Sequence, residues 1–527
     1  MDIEDLIQQL SCPKAYSYPV HHVEVIQTHI SVVFLAGPFA WKIKKPVDLG
    51  FLDFSTLDKR RHFCEEEVRL NSPLAPGVYL GTAPVTCNGQ LTCDGDGKAI
   101  DYAVKMQRLP EQATMEARLA RNAVDENMME QLGHHVADFH SRAERSERIA
   151  EFGRWDLIRR NCLENFEQSR GQTGVTIHPD VMSHLEERTR SCLDNLKELI
   201  EMRADSCFPI DSHGDLRLKH VYHFPEKSAG QQWMMLDRIE FNERFRFADP
   251  VSDIAFLCMD LLYAGRPDFV RALADSYFWS ADDTQGRQLL NFYIAYRAAV
   301  RGKVEGFKAA EPEIPIADRE EAHRESLAHW LLALSATVRP EHKPCLVLVT
   351  GLPGTGKSTL ARSLSETSGF DVVSSDVVRK ELAGLSPRTP SKSDFESGIY
   401  TPDWNDRTYA TCLDRARELL FAGRRVVVDA SFREGGRRSP FSNLAGEMAL
   451  PCLILHCEAD PSEVMRRLEL RENDPSDADW DTYLHASNHN DFQAGNSSLY
   501  TRNIHTESSE KETADEAMNV LETAGLA

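Results

Sequence analysis

The sequence contains no CxxC pair, and its 12 cysteines are scattered without a regular framework, which leaves no disulfide scaffold to read. Cys452 with Cys457, and Cys87 with Cys93 around Asn88-Gly89, come closest together and read as incidental thiols. No apolar run approaches the roughly 20 residues that a membrane span requires. The first residues, Met1-Asp2-Ile3-Glu4-Asp5, lack the basic and then apolar regions of a secretion signal, so a reduced cytoplasmic location is expected. Positive charge is in deficit: 60 Lys+Arg stand against 82 Asp+Glu, a formal charge of -22. Such a surface repels phosphate backbones, which disfavours general binding to nucleic acid or anionic membrane but leaves room for a local basic cleft. Internal repeats and low-complexity tracts are also absent. What is there is an ordinary globular mixture, 42% hydrophobic and 27% charged over 527 residues, which excludes disorder and collagen-like architecture and suggests roughly two to four domains.

Hydrophobic periodicity divides the chain. Short β-type runs occupy Val23–Ile26, Val32–Leu35 and Phe39–Lys44, with Gly37-Pro38 as a turn. A helix is expected over Thr56–Leu70, and a further strand ends in Ala103-Val104-Lys105-Met106. From Glu111 to Ala336 helical periodicity dominates, interrupted at Ile210–Asp249 by a loop-and-strand island. Thr337–Pro344 reads as a linker. After it, apolar runs at Cys345–Val349, Val426–Val428 and Cys452–His456 alternate with helical stretches, the pattern of a parallel sheet. A last strand near Asn503–His505 precedes an amphipathic helix in Ser508–Ala527. The expected organisation is residues 1–336, a linker at 337–344, and residues 345–527.

The strongest local signal is Gly351-Leu352-Pro353-Gly354-Thr355-Gly356-Lys357-Ser358, directly after an apolar strand and running into Thr359-Leu360-Ala361. This is GxxxxGK[ST] in its strand–loop–helix context. The loop amides converge on phosphate oxygens, Lys357 reaches the β/γ-phosphates, and the Ser358 hydroxyl is placed for Mg²⁺. Asp376, beyond Val372-Val373-Ser374-Ser375, is placed to accept the proton of a substrate hydroxyl; a helix N-cap is the competing role. Asp429, ending Val426-Val427-Val428, is a strand-end carboxylate for Mg²⁺ or water. Arg466, Arg467 and Arg471 fall on one helical stretch and either close over the phosphoryl group or form a solvated face. These segments, with Ser374–Leu382 and Val427–Arg433, resemble the P-loop small-molecule and polynucleotide kinases, a group that includes chloramphenicol phosphotransferase, gluconate kinase and zeta-type toxins. In that group the aspartate matching Asp376 activates the acceptor hydroxyl.

A second constellation lies upstream: His213-Gly214-Asp215, then Leu236-Asp237, then Asp249-Pro250-Val251-Ser252-Asp253. The set fits the kinase arrangement in which one aspartate orients the acceptor hydroxyl and a later one holds Mg²⁺. Asp215 takes the first role and Asp237 the second, while Asp249 and Asp253 cap a helix and brace the loop. Lys42, in Ala40-Trp41-Lys42, matches the phosphate-binding lysine, although Lys44 shares its strand face. Its acidic partner is sought in Glu65-Glu66-Glu67, with Glu66 or Glu67 favoured. Met106 is an apolar contact for adenine at the hinge. These residues resemble the aminoglycoside phosphotransferase and choline kinase branch of the protein-kinase-like fold over residues 20–310. Followed by a P-loop domain, they resemble the bifunctional aminoglycoside phosphotransferase/ATP-binding protein family. Thr28-His29-Ile30-Ser31, Lys42–Leu49, the stretch from Phe51 to Cys64 and Asp237–Phe245 carry that likeness. Two features depart from it: no GxGxxG loop precedes Lys42, and His220 stands where the kinase asparagine binds a second Mg²⁺.

The expected fold is an α+β protein-kinase-like (aminoglycoside phosphotransferase) domain followed by an α/β P-loop NTPase domain with a parallel sheet. The expected function is transfer of the γ-phosphoryl group of ATP, with Mg²⁺, to a hydroxyl of a small molecule. A regulatory protein, in which a degraded kinase-like domain gates a P-loop switch, is the second reading. A 5′-hydroxyl polynucleotide kinase using Arg433, Arg437 and Arg438 is the third. Polycationic antibiotics would call for an acidic acceptor pocket, to which Glu240, Glu243 and Asp253 could contribute, although ordinary surface acidity explains these residues equally well.

Overall fold

The computed structural model describes residues 3–88, 90–228, 230–386, 398–470, 476, 478–488 and 500–527. The chain forms two compact units. The first comprises Met1–Arg159, Asn195–Leu261 and Arg266–Tyr293; the second comprises Arg160–Asp194, Leu262–Gly265 and Ile294–Ala527. This division departs from the boundary at residue 336, because helical segments before it group with the P-loop region. Helical periodicity alone does not say which core an apolar helix face joins. In the second unit, a Cβ at Gly423 would stand 3.0 Å from both Leu334 and Val181, and Arg188 donates to the Thr337 carbonyl at 3.2 Å. The expected linker carries a 3-10 turn, Pro340–His342.

The first unit is built on a six-stranded antiparallel sheet. Its strands are β1 (Val23–Gln27), β2 (Ser31–Ala36), β3 (Phe39–Lys44), β4 (Tyr79–Cys87), β5 (Leu91–Cys93) and β6 (Ala99–Gln107), in the order β1-β2-β3-β6-β4-β5. Period-two alternation gives each strand two faces. Val32, Phe34, Trp41, Ile43 and Val85 pack on one face with Leu6 and Leu10 of the Ile3–Leu10 helix. Ala40, Tyr79, Val104 and Met106 occupy the other face with Cys64 of the Leu57–Asn71 helix. Lys42 and Lys44 have the parity of Ala40 and therefore face that helix. Two small ribbons follow: β7 (Ile210–Asp211) with β10 (Phe247–Ala248), and β8 (Val221–His223) with β9 (Trp233–Met235). Arg203, almost fully buried, is bidentate to Asp249 (2.6 and 3.0 Å) and to Asp283 (2.7 and 2.8 Å). A buried guanidinium is tolerated here because every face of its fork meets a carboxylate.

The second unit holds a five-stranded parallel sheet of β11 (Cys345–Thr350), β12 (Asp371–Ser374), β13 (Arg425–Asp429), β14 (Cys452–Glu458) and β15 (Tyr500–His505), ordered β12-β13-β11-β14-β15. β11 and β13 are buried along their whole length, which is why they read as unbroken apolar runs rather than alternating ones. The α+β then α/β order expected from the sequence is the observed one. Among the described residues, no helix is long and apolar enough to cross a membrane, and all twelve cysteines are free thiols.

Candidate active sites

Both sets of chemistry-bearing residues are assembled, each inside its own unit. In the second unit, parallel pairing aligns Val349 of β11 with Asp429 of β13, and Asp429 with Ser374 of β12. The P-loop, Asp429 and the segment bearing Asp376 therefore open at the same carboxyl edge of the sheet, where ligands of such folds bind. Gly351 has φ +141°, and a side chain there would meet the Cys457 carbonyl oxygen at 2.5 Å, so only glycine lets the loop turn off the strand. Lys357 begins the Lys357–Ser368 helix and donates to the Leu352 carbonyl at 2.8 Å, folded back across the loop it serves. The Ser358 hydroxyl donates to Asp429 Oδ2 at 2.7 Å. Thr355 and Thr359 complete the loop and the first helical turn. A hydroxyl beside a carboxylate is an all-oxygen donor pair, and it fits a hard cation such as Mg²⁺.

Asp376 lies in the first turn of the Ser375–Leu382 helix, for which Ser374, not Asp376, is the N-cap. A carboxylate in that turn is favoured by the helix dipole. Of the arginines considered for a lid, Arg466 pairs with Glu463 and is exposed. Arg467 also contacts Glu463 and reaches Thr506 Oγ1 at 3.2 Å; Arg471 lies outside the described residues. The Pro461–Glu469 helix closes on the loop itself. A Cβ at Gly354 would stand 2.8 Å from Val464, and one at Gly356 would stand 3.5 Å from Arg467. Thr506, just past β15, donates to the Thr355 carbonyl at 2.9 Å. This clasp was not read from the sequence, where no pattern links Thr506 to the loop. His456 pairs in register with Thr350 and contacts its hydroxyl at 2.8 Å. Burial, with Arg438 and Lys357 nearby, pulls its pKa down to about 4. Of the three arginines of the polynucleotide reading, Arg437 pairs with Asp406 at 2.9 Å and Arg438 is buried, donating to the Phe432 carbonyl at 2.8 Å.

In the first unit, Lys42 Nζ meets Glu67 Oε1 at 2.9 Å and Asp237 Oδ1 at 2.5 Å. The acidic partner is thus Glu67, and the assignment of Glu66 is corrected: Glu66 faces outward and pairs with Arg69. The buried positions of the helix are Arg60, Cys64, Glu67, Leu70 and Asn71. That spacing of three and four places Glu67 on the sheet side and turns Glu66 about 100° away. The same spacing was present in the sequence and would have decided between the two. Lys44, fully buried, joins Glu67 Oε2 at 2.7 Å and also contacts Glu240. Two lysines and three carboxylates therefore form one chain of contacts: Asp237, Lys42, Glu67, Lys44, Glu240. Burial works against the Lys42 charge, but Asp237, Glu67 and Glu240 outweigh it and hold the ammonium well above the usual lysine range. Asp237 is pushed the other way: burial raises its pKa, yet Lys42 and His220 keep it well below the ordinary carboxylate value. Burial holds Glu240 above its ordinary value against the pull of Lys44.

The loop carrying Asp215 is braced from below. Asp253 accepts from the His213 and Gly214 amides at 2.7 and 2.9 Å. Asp260 accepts from the Leu218 amide at 2.9 Å and pairs with Arg217 at 3.0 Å. Gly214 adopts φ +84°, and a Cβ there would strike the Phe245 carbonyl at 2.8 Å. His213 is fully buried, touches the Leu236 carbonyl at 3.0 Å, and has its pKa lowered to about 4 by burial; it is structural. His220 Nδ1 lies 2.8 Å from the Asp215 carbonyl, and its Nε2 is 3.7 Å from Asp237 Oδ2. Met106 is buried in the apolar cluster with Ala40, Tyr79 and Phe224, against Leu236, a surface suited to an adenine face. At the β1–β2 hairpin, Thr28 Oγ1 accepts from the Ser31 amide at 3.0 Å and contacts its hydroxyl at 3.0 Å, so these groups close the turn. Glu240, Glu243 and Asp253, the acids of the expected acceptor pocket, each have a partner. They are engaged by Lys44, by Arg148, and by the His213 loop respectively.

Residues 346–492 match a family model described as an AAA domain. Over 477 residues the chain is 31% identical to the uncharacterized protein Rv2004c of Mycobacterium tuberculosis, covering 87% of this chain and 91% of that one; the Mycobacterium bovis protein Mb2027c matches to the same extent. Among solved structures, a choline/ethanolamine kinase family protein from Mesorhizobium loti aligns with 64% of this chain and 98% of its own. The identity is 12% and the TM-score 0.37. The APS kinase CysC of Mycobacterium tuberculosis, in complex with AMPPNP and APS, aligns with 34% of this chain and 98% of its own, at 19% identity and a TM-score of 0.24. With nearly a third of its residues identical along almost the whole of both sequences, the chain belongs to the family of the mycobacterial protein Rv2004c.

Proposed function

We propose that the chain is an ATP-dependent phosphotransferase with two nucleotide sites, which transfers the γ-phosphoryl group to a hydroxyl of a small molecule. The observation that carries this reading is the Ser358–Asp429 contact beneath a P-loop whose lysine lies folded across it, a donor set shaped for a nucleotide and its cation. Mg²⁺, when bound by Ser358 and Asp429, supplies positive charge to the phosphate oxygens. The chain's own groups do the rest. Loop amides and Lys357 orient the phosphates. Asp376 takes the proton of the acceptor hydroxyl, whose oxygen forms the new bond to phosphorus as the bond to the bridging oxygen of ADP breaks. In the first unit Lys42, positioned by Glu67, receives phosphate, Met106 contacts the adenine, Asp215 takes the acceptor proton, and Asp237 with His220 holds the cation. The family name that fits this pairing is bifunctional aminoglycoside phosphotransferase/ATP-binding protein. With Glu240, Glu243 and Asp253 otherwise engaged, these residues lend no support to an aminoglycoside acceptor.

The alternative, a first unit that regulates the second, draws support from one contact. Asp237 and Lys42 are joined to each other, so the groups meant for cation and phosphate block one another. Phosphorylation of an acceptor panel (aminoglycosides, chloramphenicol, nucleosides, sugars, a 5′-hydroxyl oligonucleotide) by the intact protein, Asp215→Asn and Lys357→Ala separates the readings. Loss of product in both variants is expected for two catalytic sites. Loss only with Lys357→Ala makes the first unit a regulator, and no product from any protein removes the phosphotransferase assignment for these acceptors.

A further inference from the structure

The donor atoms of the two units differ in kind. Ser358 and Asp429 offer oxygen only, whereas the first unit sets an imidazole beside a carboxylate. Resting on the kinase reading of the first unit, we propose that His220 and Asp237 jointly bind a first-row transition-metal dication in preference to Mg²⁺, through His220 Nε2 and Asp237 Oδ2.

The geometry supplies the reasons. A backbone carbonyl can only accept, so the 2.8 Å contact with the Asp215 carbonyl puts the proton of His220 on Nδ1. In the neutral ring that leaves the lone pair on Nε2, which looks toward Asp237. A hydrogen bond donated by one ring N–H to a carbonyl or carboxylate oxygen is the usual way a protein fixes which nitrogen meets a metal. The 3.7 Å separation of Nε2 from Oδ2 is too long for a hydrogen bond. Two ligands at right angles on an ion with bonds of about 2.1 Å lie about 3 Å apart, so a movement of under about an ångström brings both onto one cation. Neither group is loose. The His220 ring stacks on His213 at 6.3 Å with 18° between planes. Asp237 sits at φ +66° with its amide on the Tyr79 hydroxyl at 3.2 Å. The two carboxylate oxygens are divided: Oδ1 meets Lys42, and Oδ2 faces His220. Imidazole suits transition metals, while Mg²⁺ takes oxygen. Among the described residues no third histidine, cysteine or carboxylate joins the pair to make a three-residue metal group, so nucleotide phosphates and water must complete the shell.

The test uses the full chain carrying Lys357→Ala, which disables the P-loop site, loaded with Mn²⁺ and the non-hydrolysable nucleotide AMPPNP. Pulsed electron paramagnetic resonance then reads nitrogen bound to the Mn²⁺. A ¹⁴N modulation that changes when histidine alone is ¹⁵N-labelled is expected. His220→Asn should abolish it and lower the Mn²⁺-over-Mg²⁺ preference by at least about tenfold. The labelling arm needs no substitution at His220 and stands even if that variant folds poorly. Nucleotide bound with Mn²⁺ but without imidazole modulation, or modulation persisting in His220→Asn, overturns the proposal alone. Absence of both nucleotide and Mn²⁺ from the Lys357→Ala protein overturns the kinase reading of the first unit and the metal site with it.

Discussion

Lys42 is shared between Glu67 and Asp237, so under the proposed kinase reading a phosphate reaching the first unit would meet an ammonium that is already paired. Binding would then have to loosen the Asp237 contact while Glu67 keeps the lysine in place. Glu67→Gln removes a buried partner from two lysines at once, a change with a large cost, whereas Glu66→Gln alters an exposed pair of small value. ATP affinity of the Lys357→Ala protein, measured by calorimetric titration, should fall at least about tenfold with Glu67→Gln and stay within about twofold with Glu66→Gln. At this scale the sequence exposed the residues that sit in tight motifs: Lys42, Asp215 and Asp237 in one unit, Gly351 to Ser358 in the other. It exposed less where three like residues stand in a row and the choice is one of helical phase. For Glu240 the sequence leaves an acceptor pocket and ordinary surface acidity equally open, because nothing local signals that Lys44, two residues beyond Lys42, will bury against it.

The loop that carries Asp215 is held by a single helix, Val251–Tyr263, through Asp253 and Asp260. His213 is part of that loop and titrates abnormally. The folded loop keeps it neutral down to about pH 4 because burial penalises the charged ring, while the unfolded chain takes up the proton near pH 6.5. Between those values the unfolded state binds more protons. Stability is therefore fully present above about pH 6.5 and is lost as pH falls toward 4, by at most about 1.4 kcal/mol per pH unit from this group. The urea midpoint of the first unit should drop between pH 7 and pH 5, and His213→Asn should flatten that dependence. Element boundaries were legible wherever one periodicity ruled. β3 is Phe39–Lys44 as expected, and the expected helix start at Thr56 is its N-cap, accepting from the Lys59 amide. Asp376 was harder: strand end and helix start are adjacent residues there, and only the backbone shows that Ser374 takes the cap.

The whole molecule is partitioned by which core each apolar helix face joins, and chain order hides this. The Ile316–Thr337 helix buries Trp330, Leu331 and Leu334, and Gly423 is closed over by Leu334 and Val181 within the second unit. A fragment cut at residue 345, the boundary that composition suggests, loses those faces and exposes the surface they cover. Such a 345–527 fragment should melt at least about 5 °C below the second-unit transition of the intact chain, or aggregate, as scanning calorimetry and gel filtration would record. The two sites were legible because each follows from a short motif at a strand end; the grouping of distant helices was not, since no local pattern encodes it. One feature inside the first unit sets a different limit on the chain. Asp253 and Asp260 clamp the two ends of the Asp215 loop from positions seven residues apart, two helical turns on one face. They act as a fixed-length gauge: one residue inserted between them would swing Asp260 about 100° off the loop, so over evolutionary time this stretch can change its letters far more freely than its length.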